Sequence, residues 1–268
     1  MTADNVVSVA VVTGASRGAG RGIARALSAR GWRVYATGRT ITEAPPGGVA
    51  VQLDHGDDEA VARFFERVRS EGGLDLLVNN AAVISDELVS PKPFWEKPLG
   101  LGEVLDVGLR SSYVASWHAA PMLVERGRGL IAFTSSPGSV CYMHGPAYGA
   151  QKAGVDKMAA DMAVDFRGTG VATVSIWMGI LLTERLRAAF AGNEDALAKT
   201  AEHAETPEFT GHLIDALYRD PSLSELSGQT LIGAELAQRY GITDEGGRRP
   251  PSHRHLGEPR TPSPVVLR

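Results

Sequence analysis

VVTGASRGAGRG (residues 11–22) decides the fold. The apolar run VVSVAVV (6–12) leads into it, and the amphipathic segment IARALSAR (23–30) leaves it, so Gly14, Gly18 and Gly20 fall between a buried strand and a helix. Glycine permits a tight turn and a close backbone approach. The helix N-terminus then offers unpaired N–H groups and a positive dipole end to a pyrophosphate. In this context Gly14, Ser16, Arg17, Gly18 and Gly20 are candidates to hold a dinucleotide. A turn that merely joins strand to helix is the plainer alternative.

Outward from this turn, short apolar runs alternate with helical patterns, as parallel strands joined by crossovers do. The helix from 23 should stop at Gly31, and WRVYATG (32–38) is a second strand. Between it and a third strand, VAVQL (49–53), the segment ITEAPPGG (41–48) is too short and too rich in proline and glycine for a helix, which should leave part of one sheet face uncovered. Asp57 or Asp58 caps the next helix, where Val61, Phe64, Phe65 and Val68 recur at helical spacing. LDLLVNN (74–80) is strand four. Pro98 is placed to open one long helix through 127, followed by GLIAFTSS (129–136), a helix from Pro146 to Arg167 and the strand VATVSIW (171–177). Residues 183–205 are helical but weakly punctuated, which suits a substrate lid. TPEFTGHLIDALYRD (206–220) reads as a helix with Thr206 as cap and Pro207 at its first position, and GQTLIG (228–233) as the last strand. One domain is therefore expected over 1–245. The proline-rich and arginine-rich tail, 246–268, is expected to be extended, either disordered or lying on a neighbouring subunit. His253 and His255, without a third ligand, read as solvated polar residues rather than a metal site.

Composition narrows the function. The 268 residues carry a net charge of −4 with no long block of like charge, which argues against nucleic acid or an anionic membrane surface as partner. A single cysteine, Cys141, allows no intrachain disulfide and no cysteine metal set. The N-terminus lacks a basic n-region, no apolar run reaches transmembrane length, and the cytoplasm is the expected compartment. Nucleotide type is read at the end of strand two. An acidic residue there holds the ribose hydroxyl of NAD, whereas this chain has Gly38 and Arg39, with Arg17 in the glycine turn; two guanidiniums suit the 2′-phosphate of NADP(H).

Chemistry concentrates in SSPGSVCYMHGPAYGAQK (135–152). Tyr148 and Lys152 are four apart and share a helix face. A free tyrosine titrates near ~10. An adjacent ammonium and an oxidised nicotinamide would both lower that value toward the working range of a general acid. Cys141 and His144 lack an oriented base and an oxyanion site, Tyr142 has proline four residues on, and SSPGS is not the nucleophile elbow of a hydrolase.

The T-G-x-x-x-G-x-G spacing at Thr13 to Gly20, the N-N-A at Asn79 to Ala81 and the Y-x-x-x-K at Tyr148 and Lys152 together resemble the short-chain dehydrogenase/reductase superfamily, over about residues 6–235. FWE (94–96), VGLRSSY (107–113) and LAQRYG (236–241) add a likeness to one mammalian subgroup of it. The resemblance implies an α/β fold, a Rossmann-type doubly wound parallel sheet of about seven strands with helices on both faces and a short or absent helix between strands two and three. It also implies roles. Tyr148 is the acid, Lys152 its partner and ribose ligand, and Ser135 the carbonyl-binding serine, because it precedes Tyr148 by the thirteen positions the family uses; Ser136 is the competitor that this offset disfavours. Asp54 would hold the adenine, and Asn80, Ala81 and Ala82 the adenosine side, with Asn79 bracing the sheet. Thr183 would hold the carboxamide. Two positions depart from the family: Asp106 stands at the usual asparagine, where a charge near Lys152 would alter the proton relay, and Met178-Gly179 replaces Pro-Gly.

The implied activity is NADPH-dependent hydride transfer to a ketone or aldehyde, or the reverse. Phe94, Trp95, Tyr142, Met143, Met178 and Leu182 would wall a pocket for a bulky apolar substrate, in a homodimer or homotetramer built through the long helices. A non-catalytic NADPH-binding sensor or scaffold, and a biosynthetic ketoreductase or epimerase, stay open.

Overall fold

The computed structural model describes residues 7–267. Seven parallel strands form one sheet in the order β3-β2-β1-β4-β5-β6-β7: β1 (Val9–Val12), β2 (Arg33–Gly38), β3 (Val49–Gln52), β4 (Leu76–Asn79), β5 (Gly129–Ser135), β6 (Val171–Trp177) and β7 (Thr230–Ile232). The apolar runs that contain them are buried on both sides in β1, β4, β5 and β6, as a sheet covered by helices on each face requires. The α-helices in chain order are α1 (Gly18–Ala29), α2 (Asp58–Ser70), α3 (Asp86–Val89), α4 (Glu103–Leu105), α5 (Ser111–Arg126), α6 (Pro146–Asp165), α7 (Glu184–Ala189), α8 (Glu194–Ala201), α9 (Phe209–Arg219), α10 (Leu223–Leu226) and α11 (Gly233–Tyr240). One core joins α1, α9 and α11 to the sheet through Ile23, Leu27, Phe209, Leu213, Leu217 and Leu236. The other joins α2, α5 and α6 through Phe64, Phe65, Leu123, Phe133, Val155 and Ala159. This is the doubly wound α/β arrangement, and β1 and β4 flank the point where the winding reverses.

No helix crosses between β2 and β3, and β3 is only half-buried, as the prolines and glycines of 41–48 dictate. Three local details differ from the sequence reading. The stretch after Pro98 is not one regular α-helix: it begins as a 3-10 turn, and Asp106–Arg110 winds as a π-turn in which the Asp106 carbonyl accepts the Ser111 N–H. Residues 183–205 form two short helices broken around Gly192. Thr206 does not cap α9, because Asp244 takes both its N–H and its hydroxyl; the helix starts three residues later. The first residue of the expected first strand, Val6, lies outside the described residues.

From 246 the chain runs largely without helix or strand along its own domain. Arg254 pairs with Glu235 and Glu258, Arg248 with Asp244, and Gly257 lies against Val140. No helix among the described residues is long and apolar enough to cross a membrane.

The contact between α1 and α9 depends on small residues. A Cβ at Gly22 would lie 2.3 Å from the Pro207 carbonyl carbon, and one at Gly211 would lie 2.9 Å from the Ile23 carbonyl oxygen. Gly22→Val should therefore cost about 1–3 kcal/mol by overpacking, read as a lower urea midpoint with an unchanged m value. A wild-type midpoint would mean that this contact yields easily.

Candidate functional site

The strands' C-terminal ends open into a crevice between the loops that follow β1 and β4. Thr13 and Asn80 frame it. The Thr13 hydroxyl oxygen accepts the N–H groups of Asn80 (2.9 Å) and Ala81 (3.0 Å), while Asn80 Nδ2 donates to the carbonyls of Thr13 (3.0 Å) and Gly14 (3.2 Å). Gly14 sits at φ +66°, and a Cβ there would come 2.7 Å from Ala81 Cα, so glycine is required on both counts. Gly20 faces the Gly14 carbonyl just as closely, and the Ser16 hydroxyl packs on Gly38. The Asn80 side chain therefore braces the glycine turn, and Asn79 ties β4 to α5 through Ser116 (2.9 Å).

Carboxylates already stand where this crevice would take anions. The Gly18 N–H at the start of α1 donates to Glu184 Oε2 (3.2 Å), and Arg21 pairs with the same carboxylate. Arg39, exposed at the end of β2, lies 3.7 Å from Glu103, and Arg17 is exposed beside the turn. A cavity of about 220 Å³ separates Arg21, Gly22 and Arg25 from Glu184, Arg187 and Pro207. Asp54 is exposed and accepts the Gly56 N–H, with Ala82 also exposed across the crevice. Thr183 caps α7 by accepting the Leu186 N–H, and its methyl faces Gly18. Arg185 reaches back to the Ile84 carbonyl and Asp86, tying the 184–205 segment over the crevice.

Tyr148 lies in the first turn of α6, opened by Pro146, and Lys152 follows one turn later. The serine that meets Tyr148 is Ser136: its hydroxyl is 3.0 Å from the phenol oxygen. Ser135 ends β5 fully buried, and its hydroxyl turns to the Lys152 carbonyl at 3.5 Å. The sequence expectation of Ser135 is corrected here. Pro137–Ser139 form a tight 3-10 turn, so the strand-to-helix passage is one residue shorter than the thirteen-residue offset assumes. Ser136 also fixes this turn by accepting the Gly138 N–H (3.2 Å).

Lys152 is buried with its Nζ donating to the Thr134 carbonyl (3.2 Å) and lying 5.4 Å from the centre of the Tyr148 ring. Burial pulls its pKa down to about 8, against the opposing pull of the Asp156 carboxylate. Tyr148 is raised above its ordinary value, first by burial, while the Ser136 hydrogen bond lowers it. The expected lowering by Lys152 is not seen: besides burial, the groups that move Tyr148 are Ser136, which lowers it, and Cys141, which raises it. Asp106 is likewise corrected as a neighbour of the relay: its side chain is exposed, and the carboxylate that bears on Lys152 is Asp156. Asp156 accepts from Ser175 (2.5 Å) and Trp177 (3.0 Å), which locks it to β6. Its i+4 spacing from Lys152 was legible in sequence. His144, at φ +60°, sets its ring edge to face against Tyr148, and Lys97 holds the His144 and Leu88 carbonyls.

The model of the short chain dehydrogenase family matches residues 8–194. The chain belongs to that family. It is 42% identical over 262 residues, 90% of this chain and 84% of the relative, to human dehydrogenase/reductase SDR family member 1, and 40% identical to the mouse protein over 93% of this chain and 87% of the relative. The 3-oxoacyl-(acyl-carrier-protein) reductase of Escherichia coli is 29% identical over 67% of this chain and 76% of its own length. Short-chain dehydrogenases bind a nicotinamide cofactor. The crevice fits such a group, because the Gly18 N–H donates to the Glu184 carboxylate and the Arg39 guanidinium pairs with Glu103, so its donors already meet anionic oxygens. A second cavity, of about 830 Å³ beside Arg128, Tyr218 and Gly228, lies at the opposite ends of the strands, away from Tyr148.

Asp156→Asn should lower the pKa of Lys152 below its value of about 8, since a raising charge is removed. A lysine-selective NMR titration reads this; an unchanged or higher value would show that Asp156 does not act on the ammonium.

Proposed function

We propose that the protein is an NADP(H)-dependent oxidoreductase that reduces a bulky, apolar ketone or aldehyde, or oxidises the matching alcohol. The Ser136–Tyr148 hydrogen bond, beside buried Lys152 at the mouth of the crevice, carries this reading. The bound nicotinamide would supply or accept the hydride. Tyr148 donates the proton to the substrate oxygen, and the Ser136 hydroxyl donates a hydrogen bond to the same oxygen as charge develops on it. The protonated Lys152 then favours the phenolate that Tyr148 leaves behind and offers its remaining N–H donors to the ribose. Gly14, Ser16 and Gly18 would take the phosphates at the α1 N-terminus, Asp54, Asn80, Ala81 and Ala82 would border the adenosine, and Thr183 would meet the carboxamide.

Arg17 and Arg39, with no acidic side chain at the end of β2, support NADP(H) over NAD(H). Exposed Ile84, Phe94, Trp95, Leu99, Tyr142 and Ile180 support an apolar substrate. Tyr113, Trp117 and Val124 are exposed along α5, which supports pairing of two copies through the long helices. The lone Cys141 suits a reducing cytoplasm.

A panel of carbonyl compounds with NADPH or NADH, followed through reduced-nicotinamide absorbance, tests this reading. NADPH should be preferred, and Arg39→Ala should shrink the preference; equal or better use of NADH would contradict it. Ser136→Ala should lower kcat by about 10²–10³, whereas Ser135→Ala should change it less than about tenfold. The reverse order would return the role to Ser135. With increasing pH, reduction should decline as Lys152 loses its proton near about 8, and Asp156→Asn should move that decline to lower pH.

A further inference from the structure

Two neighbouring residues of opposite charge span the mouth of the crevice. Glu184, the first residue of α7, reaches the β1 side: its Oε2 accepts the Gly18 N–H (3.2 Å), and its other carboxylate oxygen pairs with Arg21. Arg185, next in the chain, reaches the β4 side, where it donates to the Ile84 carbonyl (2.7 Å) and pairs with Asp86. The first turn of α7 is therefore a bar across the crevice, fastened at both ends. Thr183 seats the β1 end, since a Cβ on Gly18 would lie 3.4 Å from its methyl carbon.

The two fastenings differ in what can displace them. Gly18 opens α1, and the N–H groups and positive dipole end of a twelve-residue helix attract anions. Glu184 takes that place as an anion of the chain's own. On the β4 side, the Ile84 carbonyl and the Asp86 carboxylate are acceptors, which a phosphate has no means to replace. The Glu184–Arg21 pair is also half-exposed on both sides, so water competes with it and it holds weakly. A second seat lies beside the first. The cavity of about 220 Å³ next to Glu184 is lined by Arg21, Arg25 and Arg187, against the carboxylates of Glu208 and Glu245, which leaves it able to receive a third carboxylate. Arg25 stands across it, only 3.7 Å from Glu208.

We infer that Glu184 is an internal stand-in for the pyrophosphate of the dinucleotide: its carboxylate holds the Gly18 N–H and Arg21 until a pyrophosphate takes them, then swings into the neighbouring cavity and frees the β1 end of the α7 bar. The inference rests on the reading that the α1 N-terminus takes the phosphates. Two anions repel at so few donors, and the doubly charged one is held more strongly by the helix end and Arg21. Arrival of the cofactor is thereby coupled to release of the segment that covers the crevice, while Arg185 keeps that segment anchored at its β4 end. A crevice closed by its own residue for part of the time binds with an affinity lowered by the open fraction.

The experiment uses the full chain and two probes, inorganic pyrophosphate by calorimetry and NADPH by nicotinamide fluorescence, with amide hydrogen exchange over 184–201. Glu184→Gln, which keeps the size of the side chain and removes its charge, should tighten both probes about three- to tenfold. Arg185→Ala, which frees the other end without removing the internal anion, should leave pyrophosphate affinity within about twofold. Saturating pyrophosphate should speed exchange at 186–189 in the wild type toward the rate that Glu184→Gln shows without ligand. Unchanged or weaker binding in Glu184→Gln, an equal gain in Arg185→Ala, or exchange at 186–189 that pyrophosphate does not move would overturn the gate and, with NADPH still bound by the wild type, leave the cofactor reading intact. Failure of the wild type to bind pyrophosphate and either nicotinamide cofactor would overturn both.

Discussion

The cross-brace between Thr13 and Asn80 is the interaction on which the rest of the site depends. Parallel strands β1 and β4 are neighbours whose outgoing chains turn to opposite faces of the sheet, and a crevice opens only if the two loops are held at a fixed separation. One hydroxyl and one amide do this. Thr13 accepts two backbone N–H groups from the β4 side, and Asn80 donates to two carbonyls on the β1 side, so polar groups that would otherwise be orphaned become the rim of the crevice. The glycine turn is held open by these bonds as much as by its own lack of side chains.

On the other side of the crevice the controlling constraint is a buried charge. Lys152 has given up water for the Thr134 carbonyl, a tyrosine ring and the field of Asp156, and its pKa falls accordingly. Tyr148 is raised by the same burial, so the two groups are driven in opposite directions, the lysine down and the tyrosine up, each toward its uncharged form. A positive nicotinamide entering this space would act on the tyrosine in a medium where charge is weakly screened. Burial thus costs the resting site its phenolate and strengthens every charge that later reaches it.

Much of this was legible in the chain. The strand, glycine turn and helix at 9–29 follow from local pattern, and the Tyr148–Lys152 pair follows from helical spacing, because neither depends on what packs around it. The absent helix between β2 and β3 was written in two prolines and two glycines. The serine was not legible by counting. Its position depends on the path from β5 to α6, and the turn at Pro137–Ser139 shortens that path by one residue. Thr206 had the sequence of a cap, but Asp244, distant in the chain, claimed it. Glu184 was invisible for the same reason: it is an ordinary acid at the start of a helix until the fold brings it to Gly18.

The central claim is that Tyr148, Ser136 and Lys152 direct hydride transfer between the bound nicotinamide and a carbonyl carbon. Its most direct test is to incubate the protein with NADPH deuterated at C4 of the nicotinamide and a bulky ketone, then analyse the alcohol by mass spectrometry. One deuterium on the carbinol carbon, in a single stereochemical sense and lost in Tyr148→Phe, is the predicted result. Tight NADPH binding with no labelled alcohol from any ketone of the panel, or label transfer undiminished in Tyr148→Phe, would contradict it.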